Sequence, residues 1–272
     1  MSRLGYRMRG IREQGSGIRW VAYVCLGLML SGVLGSCAWG QKELRVAAAA
    51  DLQPVMPIWA AAYEHATGVK LVVSYGSSSM LAEQILNGAP MDLFLGADFV
   101  FPEKVVAAGL ADGTSPTAYA KGALVVWARK DSPLQPLSVE KLVDPRVKTI
   151  AIANELHAPY GRAAAAALQK MKMYDAAKPH FVVAENIAQA AQFVESGNAQ
   201  IGLISLTAAS SPHFKDVGSY VLVPTSQYPP IVQYAVVMAK SERKADAHAF
   251  LDWLLTPAVQ GNLTKVGLAP VK

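Results

Sequence analysis

Residues 69–98 read VKLVVSYGSSSMLAEQILNGAPMDLFLGAD, and this stretch predicts a strand, a helix and a second strand in succession. The first strand is expected at 69–75, where β-branched and apolar side chains dominate. A Gly-Ser-Ser-Ser turn leads into a helix from about residue 79 to 87, which Gly88 ends, and a short strand follows at 92–95. A strand–helix–strand unit is typical of parallel sheets covered by helices.

The same alternation continues through the rest of the chain. It predicts an α/β protein whose sheets are mostly parallel and flanked by helices on both faces, with right-handed crossovers. The other strands are expected at 44–50, 123–128, 149–153, 180–183, 200–206, 220–223 and 231–238; the other helices are expected at 52–67, 102–108, 161–173, 187–195 and 241–255, with a last one capped by Thr256 and stopped by Gly267.

The amino terminus has the layout of a secretory signal peptide. Five arginines precede residue 20 against the single acid Glu13, residues 20–34 carry no charge, and small residues close the segment at Gly40. A membrane anchor is the alternative, but a spanning helix needs ~20 apolar residues and this run is shorter. We therefore expect residues 1–40 to be removed and the chain to work in the periplasm or elsewhere outside the cytoplasm.

Two processing sites compete in this segment. Ordinary cleavage before Gln41 is favoured by the small residues Ala38 and Gly40. Alternatively, Leu-Gly-Ser-Cys at 34–37 resembles a lipobox, which would leave Cys37 as a lipid-bearing first residue that tethers the protein to a membrane.

Composition excludes several classes of function once the leader is set aside. The whole chain has 25 Lys and Arg and 20 Asp and Glu, and without the first forty residues 20 basic and 19 acidic residues remain. No basic cluster remains that could follow a phosphate backbone, so we expect no nucleic-acid partner. Both cysteines, Cys25 and Cys37, precede Gln41, which argues against disulfides, thiolate metal sites and cysteine catalysis in the mature chain.

Loops that lead from strands into helices are the candidate binding elements. In sheets of this kind ligands lie at the carboxyl ends of strands, and a helix amino terminus offers free N–H groups and a positive dipole end to an anion. The loop at 47–51 is rich in alanine, which allows a close approach to the backbone, although it could simply pack tightly. The turn at 75–79 carries three hydroxyl groups, more than the one that a helix cap needs.

Three more strand ends repeat this arrangement. Residues 154–161 (NELHAPYG) enter a helix, with donors expected from the backbone near Tyr160 and Gly161. Residues 185–187 and Ser205 add weaker candidates. The neighbouring His157 and Arg162 are expected to be surface residues rather than ligands.

No motif of catalysis is present. The sequence lacks a nucleophile elbow, an HExxH zinc motif and a phosphate-binding GxxxxGK[ST] loop. We therefore expect a binding protein rather than an enzyme; a hydrolase that uses the serine cluster is the alternative.

Taken together, these loops resemble the molybdate-binding periplasmic proteins of ABC transporters. The matching stretches are LRVAAAADL, VSYGSSSMLAEQILNGAPMDLFLGAD, IAIANELHAPYGRAAAAAL and AENIAQAAQFVESGNAQIGLI, which span nearly the whole mature chain. The resemblance implies a two-lobed periplasmic-binding-protein fold with two crossover hinge segments, near 119–122 and 225–231. Lobe I would comprise 41–120 and 230–272, and lobe II 121–229.

The resemblance also implies the ligand contacts. They are the first loop (Ala50 and Asp51), the hydroxyl and backbone of Ser78, and the backbone at Tyr160 and Ile187. The loops themselves add Ser205 as a candidate, with Ser77 and Gly161 as secondary candidates.

Two of these positions depart from the pattern of the family. Ala50-Asp51 stands where many relatives have a serine or threonine, and Ser205 stands where many have a tyrosine. A carboxylate facing a dianion is repulsive, so we expect Asp51 to turn away and cap the helix at 52–67. Otherwise the ligand is not a dianion.

The function implied by the resemblance is capture of molybdate or tungstate for an ABC importer. Neutral hydrogen-bond donors would hold the tetrahedral oxyanion in a cleft between the lobes. The expected partners are this small anion and a membrane permease, with no cofactor and a monomeric chain. The alternative is the same fold with another ligand, such as sulfate, phosphate or an organic acid.

Overall fold

The computed structural model describes residues 42–271, so the predicted signal peptide and the Cys37 lipidation site lie outside the described residues. Within that range, no helix has both the length and the apolar character that crossing a membrane requires.

The strands are β1 Lys42–Ala49, β2 Val69–Gly76, β3 Leu93–Gly96, β4 Thr117–Gly122, β5 Leu124–Arg129, β6 Ile150–Ala153, β7 Phe181–Ala184, β8 Ile201–Ser205, β9 Gly218–Leu222 and β10 Ile231–Val237. The helices are α1 Met56–Thr67, α2 Ser78–Leu86, α3 Val100–Ala107, α4 Pro159–Lys170, α5 Tyr174–Ala177, α6 Ile187–Glu195, α7 Leu206–Ser210, α8 Pro212–Val217, α9 Lys244–Leu254 and α10 Pro257–Gln260, with short 3-10 turns at Ala50–Leu52, Val139–Val143, Lys178–His180, Thr225–Gln227 and Leu263–Val266.

The strands form two five-stranded sheets with the same internal order. The first sheet has the order β2-β1-β3-β10-β4 and the second has the order β7-β6-β8-β5-β9. In each sheet the first three strands are parallel, and one later strand, β10 or β5, is antiparallel to both of its neighbours. Four strands of each sheet therefore point the same way, which confirms the predicted mostly parallel α/β fold with two lobes.

Helices cover both faces of the first sheet. Leu44, Val46 and Leu95 face α1 and α9 through a core that includes Tyr63 and Phe250. The opposite face packs on α2 and α3, in a second core formed by Ala47, Leu81, Ile85, Phe94, Phe101 and Val105. Because strand side chains alternate between faces, the almost continuous apolar run of β1 supplies both cores.

The chain passes between the two sheets twice. Strand β4 ends at Gly122 and β5 begins at Leu124, so a single residue separates the sheets there. The return connection runs from Leu222 to Ile231 and contains the 3-10 turn Thr225–Gln227. Both passages lie near the segments that the resemblance marked as hinges.

The helix predicted at 52–67 begins later than expected. Residues Ala50–Leu52 form a 3-10 turn, and α1 starts at Met56 with Pro57 in its first turn. A helix that began at Leu52 would carry Pro57 in its interior, where the ring clashes with the preceding turn and removes a hydrogen bond. Its predicted end is correct, since Gly68 caps α1 in the left-handed conformation with φ of 73°.

Gly161 allows α4 to begin directly against the end of β6. A Cβ atom at this position would fall well inside van der Waals contact with the carbonyl oxygens of Ala153 and Asn154. Because backbone cannot move aside as a flexible side chain does, only glycine fits here.

We expect Gly161→Ala to lower the free energy of unfolding by ~1–3 kcal/mol, since the added methyl group forces α4 away from β6. Chemical denaturation of the ligand-free protein measures this. Gln169→Ala, on the exposed side of the same helix, is the control and should change stability by no more than ~0.5 kcal/mol. Equal stabilities for the two variants would contradict the close approach at Gly161.

Candidate anion-binding site

The amino termini of three helices meet at one small cavity between the two sheets. The cavity encloses about 200 Å³, including its part that is open to solvent. Helix α2 enters from the first sheet, and α4 and α6 enter from the second. The residues that line it are Ala49, Ala50, Asp51, Gly76, Ser77, Ser78, Ala97, Ala158, Pro159, Tyr160, Asn186 and Ile187.

Helix α2 presents two serines that have different roles. Ser77 is the N-cap, and its Oγ accepts the Met80 N–H at 3.3 Å. Ser78 is fully buried, and its Oγ accepts the backbone N–H of Ala97 at 3.0 Å. The bond from Ala97 occupies the Ser78 oxygen as an acceptor, so the hydroxyl hydrogen remains available to donate to a bound anion.

Helices α4 and α6 add backbone donors on the other side. Helix α4 begins at Pro159, and its N-cap, Ala158, has no side chain that could accept a hydrogen bond. In α6 the N-cap Asn186 accepts the Gln189 N–H at 3.0 Å. Neither cap satisfies the N–H groups at Tyr160 and Ile187, which belong to the first turns and have no acceptor within their own helices.

The electrostatics of the cavity favour an anion without a neutralising cation. Among the described residues that line it, none is Lys, Arg or His. Throughout 42–271, moreover, no three His, Cys, Asp or Glu side chains form a group that could hold a metal ion. The positive field therefore comes from the three helix termini, whose dipoles each place roughly half a positive charge at the amino end.

The prediction that Asp51 caps the following helix is wrong, because the N-cap of α1 is Val55 and no side chain caps this helix. Its side chain is only 1% exposed, and its Oδ2 accepts hydrogen bonds from the Tyr160 hydroxyl at 3.1 Å and from Gln233 Nε2. The physical reason is the 3-10 turn at Ala50–Leu52, which delays α1 to Met56 and leaves the carboxyl beside donors from α4 and β10.

Burial dominates the ionisation of Asp51. It raises the pKa of this carboxyl from 3.8 to about 7, and the hydrogen bonds from Tyr160 and Gln233 only partly oppose the shift. Burial, and secondarily the nearby Asp51 charge, also hold the pKa values of the Tyr119 and Tyr160 hydroxyls well above 10. Both phenols therefore stay neutral and can act as donors.

Ser205 does not line the cavity, in contrast to the other main candidates. Its hydroxyl caps α7 by accepting the Ala208 N–H at 3.3 Å, and it lies 2.8 Å from the Thr207 hydroxyl. Thr207 in turn donates to the backbone carbonyl of Asp51 at 2.6 Å. These bonds connect Ser205 to Thr207 and, through Thr207, to the Asp51 loop. Gly161 also lies outside the lining and serves the packing of α4.

Side chains join the two sheets beside the cavity. The Arg162 guanidinium pairs with the Asp98 carboxylate and lies over the Phe101 ring, 5.1 Å from its centroid. On the same side, His157 Nδ1 is 3.5 Å from the Ser79 hydroxyl. Arg162 and His157 therefore meet partners from segments that belong to the first sheet.

Sequence reasoning missed Gln233 and Ala97. Gln233 is fully buried in β10, and it was the one amide in the apolar stretch at 231–238, which is a usable signal. Ala97 acts only through its backbone N–H, which donates to Ser78 Oγ. Any residue type supplies this group, so the amino-acid sequence carries no sign of the contact.

Comparison with known proteins shows the family of this chain. Residues 44–269 match the family described as bacterial extracellular solute-binding protein. The chain belongs to this family. Its members are transport components rather than a class of enzymes, and they act outside the cytoplasm.

Individual relatives confirm the resemblance to molybdate-binding periplasmic proteins. The chain is 36% identical to the molybdate-binding protein ModA of Azotobacter vinelandii over 232 residues, which cover 85% of this chain and 92% of the relative. It is 32% identical to ModA of Rhodobacter capsulatus over 242 residues, covering 89% and 91% of the two chains. The solved structure of the Azotobacter vinelandii periplasmic molybdate-binding protein superimposes with a TM-score of 0.79, at 32% identity, over 84% of this chain and 100% of that one.

The raised pKa of Asp51 predicts a pH dependence of stability. The folded chain holds this proton up to about pH 7, whereas the unfolded chain loses it near 3.8. The contribution of protonated Asp51 to the free energy of unfolding is therefore complete below pH 3.8. It decreases by ~1.4 kcal/mol per pH unit as the pH rises towards about 7. In thermal unfolding without ligand, the Tm of Asp51→Asn minus the Tm of the wild type should increase from pH 5 to pH 8. Parallel Tm curves would show that Asp51 is ionised throughout.

Proposed function

We propose that this chain is the substrate-binding component of an ABC importer and that it captures molybdate or tungstate in the cavity between its two sheets. The observation that carries this proposal is the convergence of three helix amino termini and the Ser78 hydroxyl on one cavity whose lining has no cationic side chain among the described residues. Fixed neutral donors on several sides suit a tetrahedral oxyanion that has left water. The similarity to two ModA proteins supports this choice of ligand.

The assignment of lobes and their closure forms part of this proposal. Lobe I comprises 41–120 and 230–272, lobe II comprises 121–229, and the hinges lie near 119–122 and 225–231. The Arg162–Asp98 ion pair and the bond between Tyr160 and Asp51 support closure around the ligand, because each links a segment of lobe I to a segment of lobe II. Closure excludes water, which strengthens each hydrogen bond to the anion.

The cellular role follows from the same proposal. The leader at 1–40 exports the chain, with cleavage before Gln41 favoured over lipidation at Cys37. The closed protein then delivers its anion to a membrane permease. It acts as a monomer without a cofactor, catalysis or a nucleic-acid partner.

Isothermal titration with molybdate, tungstate and sulfate tests the ligand. We expect saturable 1:1 binding of molybdate and tungstate and much weaker binding of sulfate, because a smaller oxyanion cannot reach donors on all sides of the cavity at once. Tight binding of sulfate or phosphate with no response to molybdate and tungstate would instead support the same fold with another ligand.

We expect Ser78→Ala to weaken molybdate binding by ~1–3 kcal/mol, because it removes a hydroxyl donor to a charged acceptor. Titration calorimetry measures the change in affinity. The Tm of the ligand-free variant reports separately on the cost of leaving the Ala97 N–H without its acceptor. Ser74→Ala, at an exposed position of β2, is the control and should bind as the wild type does. Unchanged affinity in Ser78→Ala would place the ligand elsewhere.

A further inference from the structure

Asp51 is the unusual group in the cavity, because it is the acidic side chain among the described lining residues. We propose that Asp51 binds the oxyanion as a neutral carboxylic acid, with its proton on Oδ1, so that binding takes up one proton wherever the free protein has lost it. This inference rests on the proposed function and assigns the protonation state and donor role of one residue in that site.

The hydrogen bonds of Asp51 divide its two oxygens between different roles. Oδ2 accepts from both the Tyr160 hydroxyl and Gln233 Nε2. Oδ1 is buried and has no hydrogen-bond partner in the described structure. In a neutral carboxyl the carbonyl oxygen accepts and the hydroxyl oxygen donates. Two donors at Oδ2 mark it as the carbonyl oxygen, which leaves Oδ1 to carry the proton.

A buried polar atom without a partner is costly, so Oδ1 needs a partner in the working state. Asp51 is itself a lining residue of the cavity. An oxyanion in that cavity is an acceptor, and a protonated Oδ1 is the donor that complements it. An ionised Oδ1 would meet the same anion with no hydrogen between two negatively charged oxygens.

Within residues 42–271, no charged group near Asp51 compensates its ionised form. The groups that face its carboxyl are Tyr160 of α4, Tyr119 of β4 and Gln233 of β10, and none of these is a cation. The Thr207 hydroxyl of α7, also uncharged, binds the backbone carbonyl of Asp51. The two tyrosines are the titratable ones, and both remain neutral near physiological pH. A dianion added beside Asp51 therefore favours the protonated form further, beyond the effect of burial that already brings its pKa to about 7.

The proton balance of binding is simple. One proton moves from solvent or buffer to Asp51 Oδ1, no bond of the anion breaks, and no redox step occurs. Above about pH 7 the free protein has lost this proton and must take it up again on binding. The apparent Kd should then rise by about tenfold per pH unit. Below that pH the proton is already present and the Kd should become constant.

Calorimetric titration with molybdate, in buffers of different ionisation enthalpy at pH 6.5, 7.5 and 8.5, counts this proton directly. For the wild type we expect uptake to approach one proton per anion at pH 8.5 and to decrease at pH 6.5. Asp51→Asn carries a permanent N–H donor, so it should bind with no proton uptake and with a Kd that does not change with pH. An infrared carbonyl band of a neutral carboxyl should strengthen on binding at pH 8.5 and be missing from the variant.

Asp98→Asn is the matched control, because Asp98 is a partly buried acid next to the cleft that pairs with Arg162. It should keep the pH dependence of the wild type even if its affinity changes. Binding of molybdate without proton uptake in the wild type, or equal uptake in Asp51→Asn, would overturn the role of Asp51 while leaving the proposed function intact. Failure of molybdate and tungstate to bind at any pH would overturn both. If Asp51→Asn does not fold, the proton count of the wild type alone decides.

Discussion

An anion that leaves water needs hydrogen-bond donors on several sides, and in this protein no lining residue among those described supplies a positive side chain. The donors must therefore come from backbone N–H groups and hydroxyls whose positions are fixed by the fold. Helices α2, α4 and α6 meet this requirement because each begins at the carboxyl end of a strand, and parallel strands place those ends along one edge of each sheet. The rest of the structure holds the two edges opposite each other.

The same groups that surround the cavity also connect the two sheets. The Asp51 carboxyl receives Tyr160 from one side of the cleft and Gln233 from the other, and Thr207 holds the Asp51 carbonyl. Gly122 makes this arrangement possible, since a Cβ atom there would collide with the Tyr160 hydroxyl. The contacts of Tyr160 and Thr207 join segments from both sheets, and the proposed closure around the anion would use them.

A carboxyl in the lining makes hydrogen-bond donation to the anion depend on pH. A serine or threonine at this position would donate a hydrogen bond at any pH, whereas a carboxyl donates only when it is protonated. Burial favours the protonated form, since no cation among the described residues lies near the carboxyl. The low polarity that isolates the anion thus also converts Asp51 into a donor. The same environment thus acts on both the ligand and the residue.

The sequence by itself determined the α/β fold and most of the elements, because apolar periodicity and glycine stops are local signals; Gly68 and the strand–helix–strand unit at 69–98 are examples. It also indicated the loops that contain Ala50, Ser78, Tyr160 and Ile187, since hydroxyls and small residues at helix starts have a direct chemical meaning. It could not determine where Asp51 points, because that depends on Pro57 delaying α1 and on Tyr160 and Gln233, which are 109 and 182 residues away in the chain. Nor could it show that Ser205 supports Thr207, or that Ala97 orients Ser78. These roles arise from contacts between distant segments, and only the tertiary structure decided them.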